Sequence, residues 1–417
     1  MNKTISSCIL KGEVSAPASK SDGQRVILAA GLSTGTTRVI GVGKSDDERA
    51  MLQNIEELGA DVQLQEDGSY LIRGIQSFPV EAELNAGESG LGMRLITGVC
   101  AGHEGHFFIT GEGSLLKRPQ LFFEQHLTQM GVRVSSNDGY LPITVDGRMH
   151  GGIVEIDGSA SSQFLSGMLM SLPLIEEDST LVVHNLKSIP YVQMTLDTLK
   201  SFGVHIENEN FERFFIKGNQ SYTCDSYIVE GDWSSVSYWL VAAALGHPIC
   251  VSGLYFQSAQ ADTALLKILE AANCEVAISD TTVEVKGENR LAFHADATHC
   301  PDLFPALVVL AAFCEGRSTI SGLHRLKIKE SDRGTVLQQE FAKFGLKIEL
   351  DEANDVMMIH GGTTLHAARV DSHNDHRIAM CLAIAASKIE GESVIAGAEA
   401  VSKSYPDFWE DFDRLNG

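Results

Sequence analysis

The stretch MLQNIEELGADVQLQEDGSYLIRG, residues 51–74, decides the fold. It reads as a helix, a glycine, a strand and a short hairpin, and the chain repeats that order. FFEQHLTQMGVRV (122–134), TLDTLKSFGVHIE (195–207), LLKILEAANCEVAI (265–278) and VLQQEFAKFGLKIEL (336–350) follow it. The residues closing these helices are Gly59, Gly131, Gly203, Asn273 and Gly345, separated by 72, 72, 70 and 72 positions. A further step of 72 reaches Gly417, at the end of FWEDFDRLNG (408–417). Gly and Asn are the residues that accept the left-handed conformation closing a helix. A fixed period of this kind marks a repeat architecture.

A second, far more apolar helix recurs once per period: GQRVILAAGL (23–32), GMRLITGVCAG (92–102), FLSGMLMSLPLI (164–175), SVSYWLVAAALG (235–246), LFPALVVLAAFC (303–314) and RIAMCLAIAAS (377–387). Helices that are apolar nearly all round belong inside a core. Each is followed by a strand ending in Gly or Asn, as in HFFITG (106–111) and TLVVHN (180–185). Each repeat therefore reads strand, buried helix, strand, outer helix, strand, strand, which makes the chain α/β with helices inside its sheets. Six such units are too many for one core, so three per domain is the natural division, with the midpoint near YIVEGD (227–232). The opening strand, ILKGEVSAP (9–17), could pair with either half.

Composition narrows the function. Lys and Arg number 32 against 55 Asp and Glu, a net charge of −23. Nucleic acid and anionic membranes would be repelled. An anionic small molecule remains possible only where cations are gathered. No apolar run is long enough to span a membrane, and MNKTISSCILKGEVSAP lacks the apolar core of a signal peptide, so a cytoplasmic location is expected. A monomer is expected as well. The eight cysteines are scattered without a CxxC pair, as free thiols in a reducing compartment would be.

The buried helices open on polar residues. Ser19-Lys20-Ser21 and Arg25 begin the first, Gly87-Glu88-Ser89-Gly90 and Arg94 the second, and Ser161-Ser162-Gln163 the third. Asp232 to Ser235, Pro301-Asp302 and Asn374 to Arg377 begin the other three. Helix N-termini attract anions through their free N–H groups. If the repeats hold the helices roughly parallel, these ends share one side of each domain, and two such sides facing each other would form an anion-binding cleft. Simple N-capping explains the Ser, Asp and Asn residues. It does not explain why Lys20, Arg25, Arg94 and Arg377 join them.

Six motifs then resemble a known family. SKSDGQR (19–25), SSQF (161–164), KSIPY (187–191), KIKESDR (327–333), NDHRIAM (374–380) and KSYPDF (403–408) look like the motif set of the 5-enolpyruvylshikimate-3-phosphate synthases, in the same order over essentially the whole chain. The resemblance implies a two-domain inside-out α/β barrel of six βαβαββ repeats. In that family the first strand belongs with the second half, which gives a first domain of residues 15–228 and a second of 1–14 with 229–417. It implies transfer of the enolpyruvyl group of phosphoenolpyruvate to shikimate-3-phosphate, with no metal or organic cofactor.

Carried over by position, the resemblance gives shikimate-3-phosphate to Lys20, Ser21, Arg25, Ser161, Ser162, Gln163 and Ser188, with Tyr191 close by. Asp302 and Lys329 would meet the shikimate hydroxyls. Phosphoenolpyruvate would go to Lys20, Gly90, Arg118, Gln163, Arg333, Arg377 and Lys403. Asp302 and Glu330 are the implied proton-transfer pair, with Lys20 beside the chemistry. The planar fork of Arg suits the phosphates and carboxylates of these substrates.

The chain departs from the common family pattern at Glu88, Leu91 and Arg325. Arg325 either adds a cation near the shikimate phosphate or faces solvent. The sister family that uses UDP-N-acetylglucosamine carries a Cys in the loop of the second unit; GEGSLLKRP (111–119) has none. Gly43-Lys44-Ser45 imitates the end of a P-loop, but Arg38 stands where that motif needs Gly, and the tripeptide is not expected to open a helix in a strand–loop–helix unit. His103/His106 and His373/His376 have HxxH spacing without the following Glu of a zinc motif; the first pair is expected in a loop and His376 near substrate. Glu48-Arg49 and Glu56-Glu57 are expected on a solvated helix face.

Overall fold

A computed structural model describes residues 1–159 and 161–417. Its helices alternate between two kinds. The odd-numbered ones are α1 (Lys20–Gly31), α3 (Gly90–Ala101), α5 (Ser162–Ser171), α7 (Trp233–Ala244), α9 (Phe304–Ala312) and α11 (His376–Lys388). These are the six apolar segments, and they are buried on nearly every side. The even-numbered ones are α2 (Asp46–Glu57), α4 (Leu121–Leu127), α6 (Ile189–Ser201), α8 (Leu265–Ala271), α10 (Arg333–Lys343) and α12 (Phe408–Asn416). They bury one face only, as amphipathic helices do.

Each residue marked as closing an outer helix is left-handed: Gly59, Gly131, Gly203 and Gly345 have φ of 104°, 90°, 77° and 93°, and Asn273 has 63°. The repeat seen in the sequence is therefore a repeat of backbone conformation. Asn replaces Gly once because its short polar side chain tolerates this region.

One sheet shows the pattern of all. Glu81–Asn85 lies parallel to His106–Thr110, with α3 as the crossover between them. His106–Thr110 then pairs antiparallel with Tyr140–Asp146, which pairs antiparallel with Arg133–Asn137. Buried residues alternate with exposed ones along Glu81–Asn85 and mostly with half-buried ones along Tyr140–Asp146, so one face of the sheet meets the core. Among the described residues five sheets share this four-strand order, and a sixth has three strands.

Two strands are exchanged relative to sequence order. Ser226–Ile228 leads into α7 yet pairs parallel with Thr36–Ile40. Gly12–Ser15 leads into α1 yet pairs parallel with Ile249–Ser252. The opening strand Asn2–Ser6 runs antiparallel to Glu392–Ala396, the place a hairpin strand takes in the other sheets.

The chain thus separates into a continuous unit, Ala18–Glu230, and a composite unit, Met1–Pro17 with Gly231–Gly417. Each has its own apolar core, built around α1, α3 and α5 in the former and α7, α9 and α11 in the latter. The segment crossings fall slightly beyond residues 14 and 228, because Ala16 N still bonds to Ser252 O and Ser19 N to Glu230 O. No helix among the described residues is long and apolar enough to cross a membrane.

Candidate active site

In the continuous unit the polar residues gather where α1, α3 and α5 begin. Ser19 caps α1 by accepting from Asp22 N at 3.4 Å. Lys20, the first residue of that helix, places Nζ 2.9 Å from Asp47 Oδ2 of α2. Arg25, one turn on, is 1% exposed. Its Nε donates to Thr195 Oγ1 (2.8 Å), Nη1 to the Ser21 carbonyl (2.7 Å) and Nη2 to the Tyr191 carbonyl (3.1 Å). These acceptors orient the guanidinium without neutralising it, and burial pulls its pKa down to about 10. It stays cationic at neutral pH, as an anion site requires.

Ser188 immediately precedes α6 with a left-handed φ of 55° and is buried. Strain of this kind in a residue other than glycine often marks a functional position. Ser161 caps α5, its Oγ accepting from Gln163 N at 3.2 Å. Gln163 Oε1 in turn accepts from Arg94 Nη1 at 2.5 Å, and the same nitrogen donates to the Gly90 carbonyl at 3.2 Å. A methyl group on Gly90 would lie 2.7 Å from Arg118 Nη1 and 3.0 Å from Arg94 Nη1. Two guanidiniums thus close over the glycine at the head of α3. Arg118 is steadied by Ser114 Oγ, 3.3 Å from Nη2.

The composite unit gathers charges of both signs. Arg333, fully buried at the start of α10, holds three carboxylates. Nη1 donates to Asp302 Oδ1 (2.6 Å) and Nη2 to Glu330 Oε2 (2.5 Å). Nε and Nη2 also grip Asp375 at 2.8 and 3.2 Å. Asp302 accepts further from Lys329 Nζ (3.3 Å) and Arg377 Nη2 (3.2 Å). Burial opposes ionisation of Asp302, but Arg377, Lys329 and Arg333 outweigh it and hold the carboxyl well below its usual range. Asp375 also caps α11, its Oδ1 accepting from Arg377 N at 3.0 Å. Arg377 Nε and Nη1 are buried without a hydrogen-bond partner among the described residues. Lys403 Nζ donates to the Asn374 carbonyl at 2.6 Å.

Comparison with known proteins bears directly on this arrangement. The profile of EPSP synthase (3-phosphoshikimate 1-carboxyvinyltransferase) matches residues 6–412. The chain belongs to the EPSP synthase family. It is 38% identical to a 3-phosphoshikimate 1-carboxyvinyltransferase of Clostridium acetobutylicum, covering 99% of this chain and 97% of that one. The Clostridium novyi protein of the same name is 35% identical over 98% and 96% of the two chains. The fold matches an EPSP synthase of Acinetobacter baumannii with a TM-score of 0.83, at 25% identity over 100% and 98% of the chains. The enolpyruvyl transferase NikO of Streptomyces tendae shares the fold alone, with a TM-score of 0.78 at 16% identity over 99% and 96%.

Within this EPSP synthase fold, Lys20, Ser21, Arg25, Gly90, Arg118, Ser161, Ser162, Gln163 and Ser188 lie in the continuous unit. Asp302, Lys329, Glu330, Arg333, Arg377 and Lys403 lie in the composite unit. Several partners were not in the sequence-derived set. Asp47 on Lys20 and Thr195 on Arg25 lie 27 and 170 positions from the residues they serve, and Asp375, legible only as a helix start, holds Arg333 from 42 positions away. The sequence places Arg94 at its helix start but carries no sign of its bond to Gln163. Arg325 is half-buried with Asp302 and Asp355 in its field, and burial lowers its pKa, so it does not simply face solvent.

Three readings of the sequence need correction. Glu48 is buried, not solvated. Gly43-Lys44-Ser45 does lie between a strand and a helix, since Thr36–Ile40 precedes it and Ser45 caps α2. Glu48 occupies that loop, accepting from Gly43 N at 2.8 Å and Ser45 Oγ at 2.6 Å, so the chain's own carboxylate takes up these donors. His106 opens a strand and lies 2.5 Å from Asp146, while His103 stacks on Phe78 with centroids 3.4 Å apart.

Proposed function

We propose that this chain transfers the enolpyruvyl group of phosphoenolpyruvate to the 5-hydroxyl of shikimate-3-phosphate and releases phosphate, in the route to aromatic amino acids. The observation that carries the proposal is the pair Asp302 and Glu330, held on one buried guanidinium beside Lys329 and Arg377. Addition needs a base for the hydroxyl proton and an acid for the methylene carbon, and elimination needs the reverse. Two carboxylates joined through a shared cation supply such a pair.

The chemistry then follows from charge. In addition, the hydroxyl oxygen bonds to the enol carbon, its proton passes to a carboxylate, and the methylene carbon takes up a proton. In elimination, the carbon–phosphate oxygen bond breaks, the methyl carbon returns its proton, and phosphate departs. Without substrate, Asp302 is too strongly stabilised as an anion to be a good base. Substrate phosphate and carboxylate would compete for Arg333, Arg377 and Lys329, and the basicity of Asp302 would rise when it is needed. Lys20, Arg118 and Lys403 would stabilise the phosphate as it leaves. These proton and phosphate movements ask for no metal or organic cofactor.

Ser21, Arg25, Ser161, Ser162, Gln163 and Ser188 are proposed to hold shikimate-3-phosphate, with Asp302 and Lys329 at its ring hydroxyls. Lys20, Gly90, Arg118, Gln163, Arg333, Arg377 and Lys403 are proposed for phosphoenolpyruvate. The six repeats are proposed to close as inside-out α/β barrels around their buried helices. Glu330→Gln tests the proton-transfer role: kcat should fall about a hundredfold or more, with both KM values nearly kept. Unchanged kcat would remove Glu330 from the mechanism.

A further inference from the structure

Behind Lys403 lies a set of contacts outside the charged cluster of Asp302, Glu330 and Arg333. Glu340 projects from α10 with only 2% of its side chain exposed. Its Oε1 lies 2.8 Å from His373 Nε2, and its Oε2 accepts from Asp371 N at 2.9 Å. Lys343 Nζ, within 2.8 Å of both oxygens, completes the shell of the carboxylate.

The turn that Glu340 grips is strained. His373 and Asn374 are both left-handed, with φ of 50° and 56°, and neither is glycine. Two such residues in succession persist only where the surroundings over-determine them. Local bonds contribute: His373 N donates to Asp371 Oδ1 at 2.7 Å and Asn374 N to Ser372 Oγ at 3.2 Å. From other elements, the Ala396 and Gly397 carbonyls accept from Ser372 N and Oγ, and Glu340 takes both the Asp371 N–H and the His373 side chain. The strained geometry aims the Asn374 carbonyl at Lys403 Nζ, 2.6 Å away. It also sets the entry to α11, whose cap Asp375 orients Arg333.

We propose that Glu340 is a positioning residue, which through His373 locks the turn at 371–374 and so places Lys403 for the phosphoenolpyruvate anion. The proposal rests on the reading that Lys403 binds that substrate. Glu340 touches no reacting atom, so its removal should act mainly through Lys403, while Asp375 is held separately by Arg333 Nε and Nη2 and by its cap on Arg377 N.

The test is a double-mutant cycle on the full chain with Glu340→Gln, Lys403→Ala and the pair. Glu340→Gln keeps the shape of the side chain, and His373→Phe breaks the same contact from the other side. Each should raise the KM for phosphoenolpyruvate about tenfold, as a small misplacement of a binding group does. The KM for shikimate-3-phosphate should stay within about twofold, and Glu340→Gln should add nothing once Lys403 is Ala. Fully additive effects in the pair, or equal rises in both KM values, would overturn the proposal. Amide hydrogen exchange gives a readout independent of turnover. Exchange at 371–376 should quicken in both Glu340→Gln and His373→Phe, and unchanged exchange would overturn the lock. Wild-type protein inactive with both substrates would instead sink the activity reading, leaving exchange to decide the turn.

Discussion

Arg333→Lys keeps the charge at the centre of the carboxylate cluster and removes its geometry. Arg333 makes four hydrogen bonds to Asp302, Glu330 and Asp375, at 2.5 to 3.2 Å. A lysine has one nitrogen and cannot reach three carboxylates spread around a planar fork. Loss of two charge-assisted bonds, at roughly 1.5–3 kcal/mol each, gives about 3–6 kcal/mol. The range for breaking a buried ion pair, about 3–5 kcal/mol, agrees. The three tryptophans, Trp233, Trp239 and Trp409, all lie in the composite unit, so fluorescence during urea unfolding reports that unit. With a slope of about 3 kcal/mol per molar urea, the midpoint should fall by about 1 M or more. A loss under about 1 kcal/mol would refute the reasoning, because the fork would then not be what holds the carboxylates together.

Two further substitutions probe the continuous unit. Burial raises the Asp22 pKa to about 7, although Glu230 N and Tyr227 Oη donate to it. Its folded value exceeds its unfolded one, so wild-type stability from this group is present below about pH 4 and is lost as pH rises through 7, by up to about 4 kcal/mol. Asp22→Asn should therefore gain on wild type between pH 5 and 8 when both are unfolded under circular dichroism; a gap of equal size at both pH values would contradict this. Gly90→Ala should push Arg118 and Arg94 aside, given approaches of 2.7 and 3.0 Å, and raise the phosphoenolpyruvate KM about tenfold in steady-state kinetics, a cost near 1.4 kcal/mol. An unchanged KM would show that the guanidiniums over Gly90 do not meet that substrate.

Local signals in the sequence reached far into this fold. The buried helices were legible because α9, FPALVVLAA, has no polar face to expose, and the outer helices because a left-handed residue closes each at a nearly constant spacing. The strand exchange was not legible. Ser226–Ile228 pairs with Thr36–Ile40 across about 190 positions, and nothing in either segment names its partner. Site residues carrying a motif could be found, whereas those that hold them could not, because Asp47 and Thr195 reach Lys20 and Arg25 only through the fold. Glu48 differs, since Ser45 and Glu48 have the spacing of a capping box and that signal was available.

The most direct measurement is inorganic phosphate released from phosphoenolpyruvate by the purified chain, with shikimate-3-phosphate, with UDP-N-acetylglucosamine, and with no acceptor. Release with shikimate-3-phosphate alone is the predicted result. Release with the sugar nucleotide, or none with any acceptor from folded protein, would contradict the assignment of Asp302 and Glu330 to shikimate-3-phosphate chemistry.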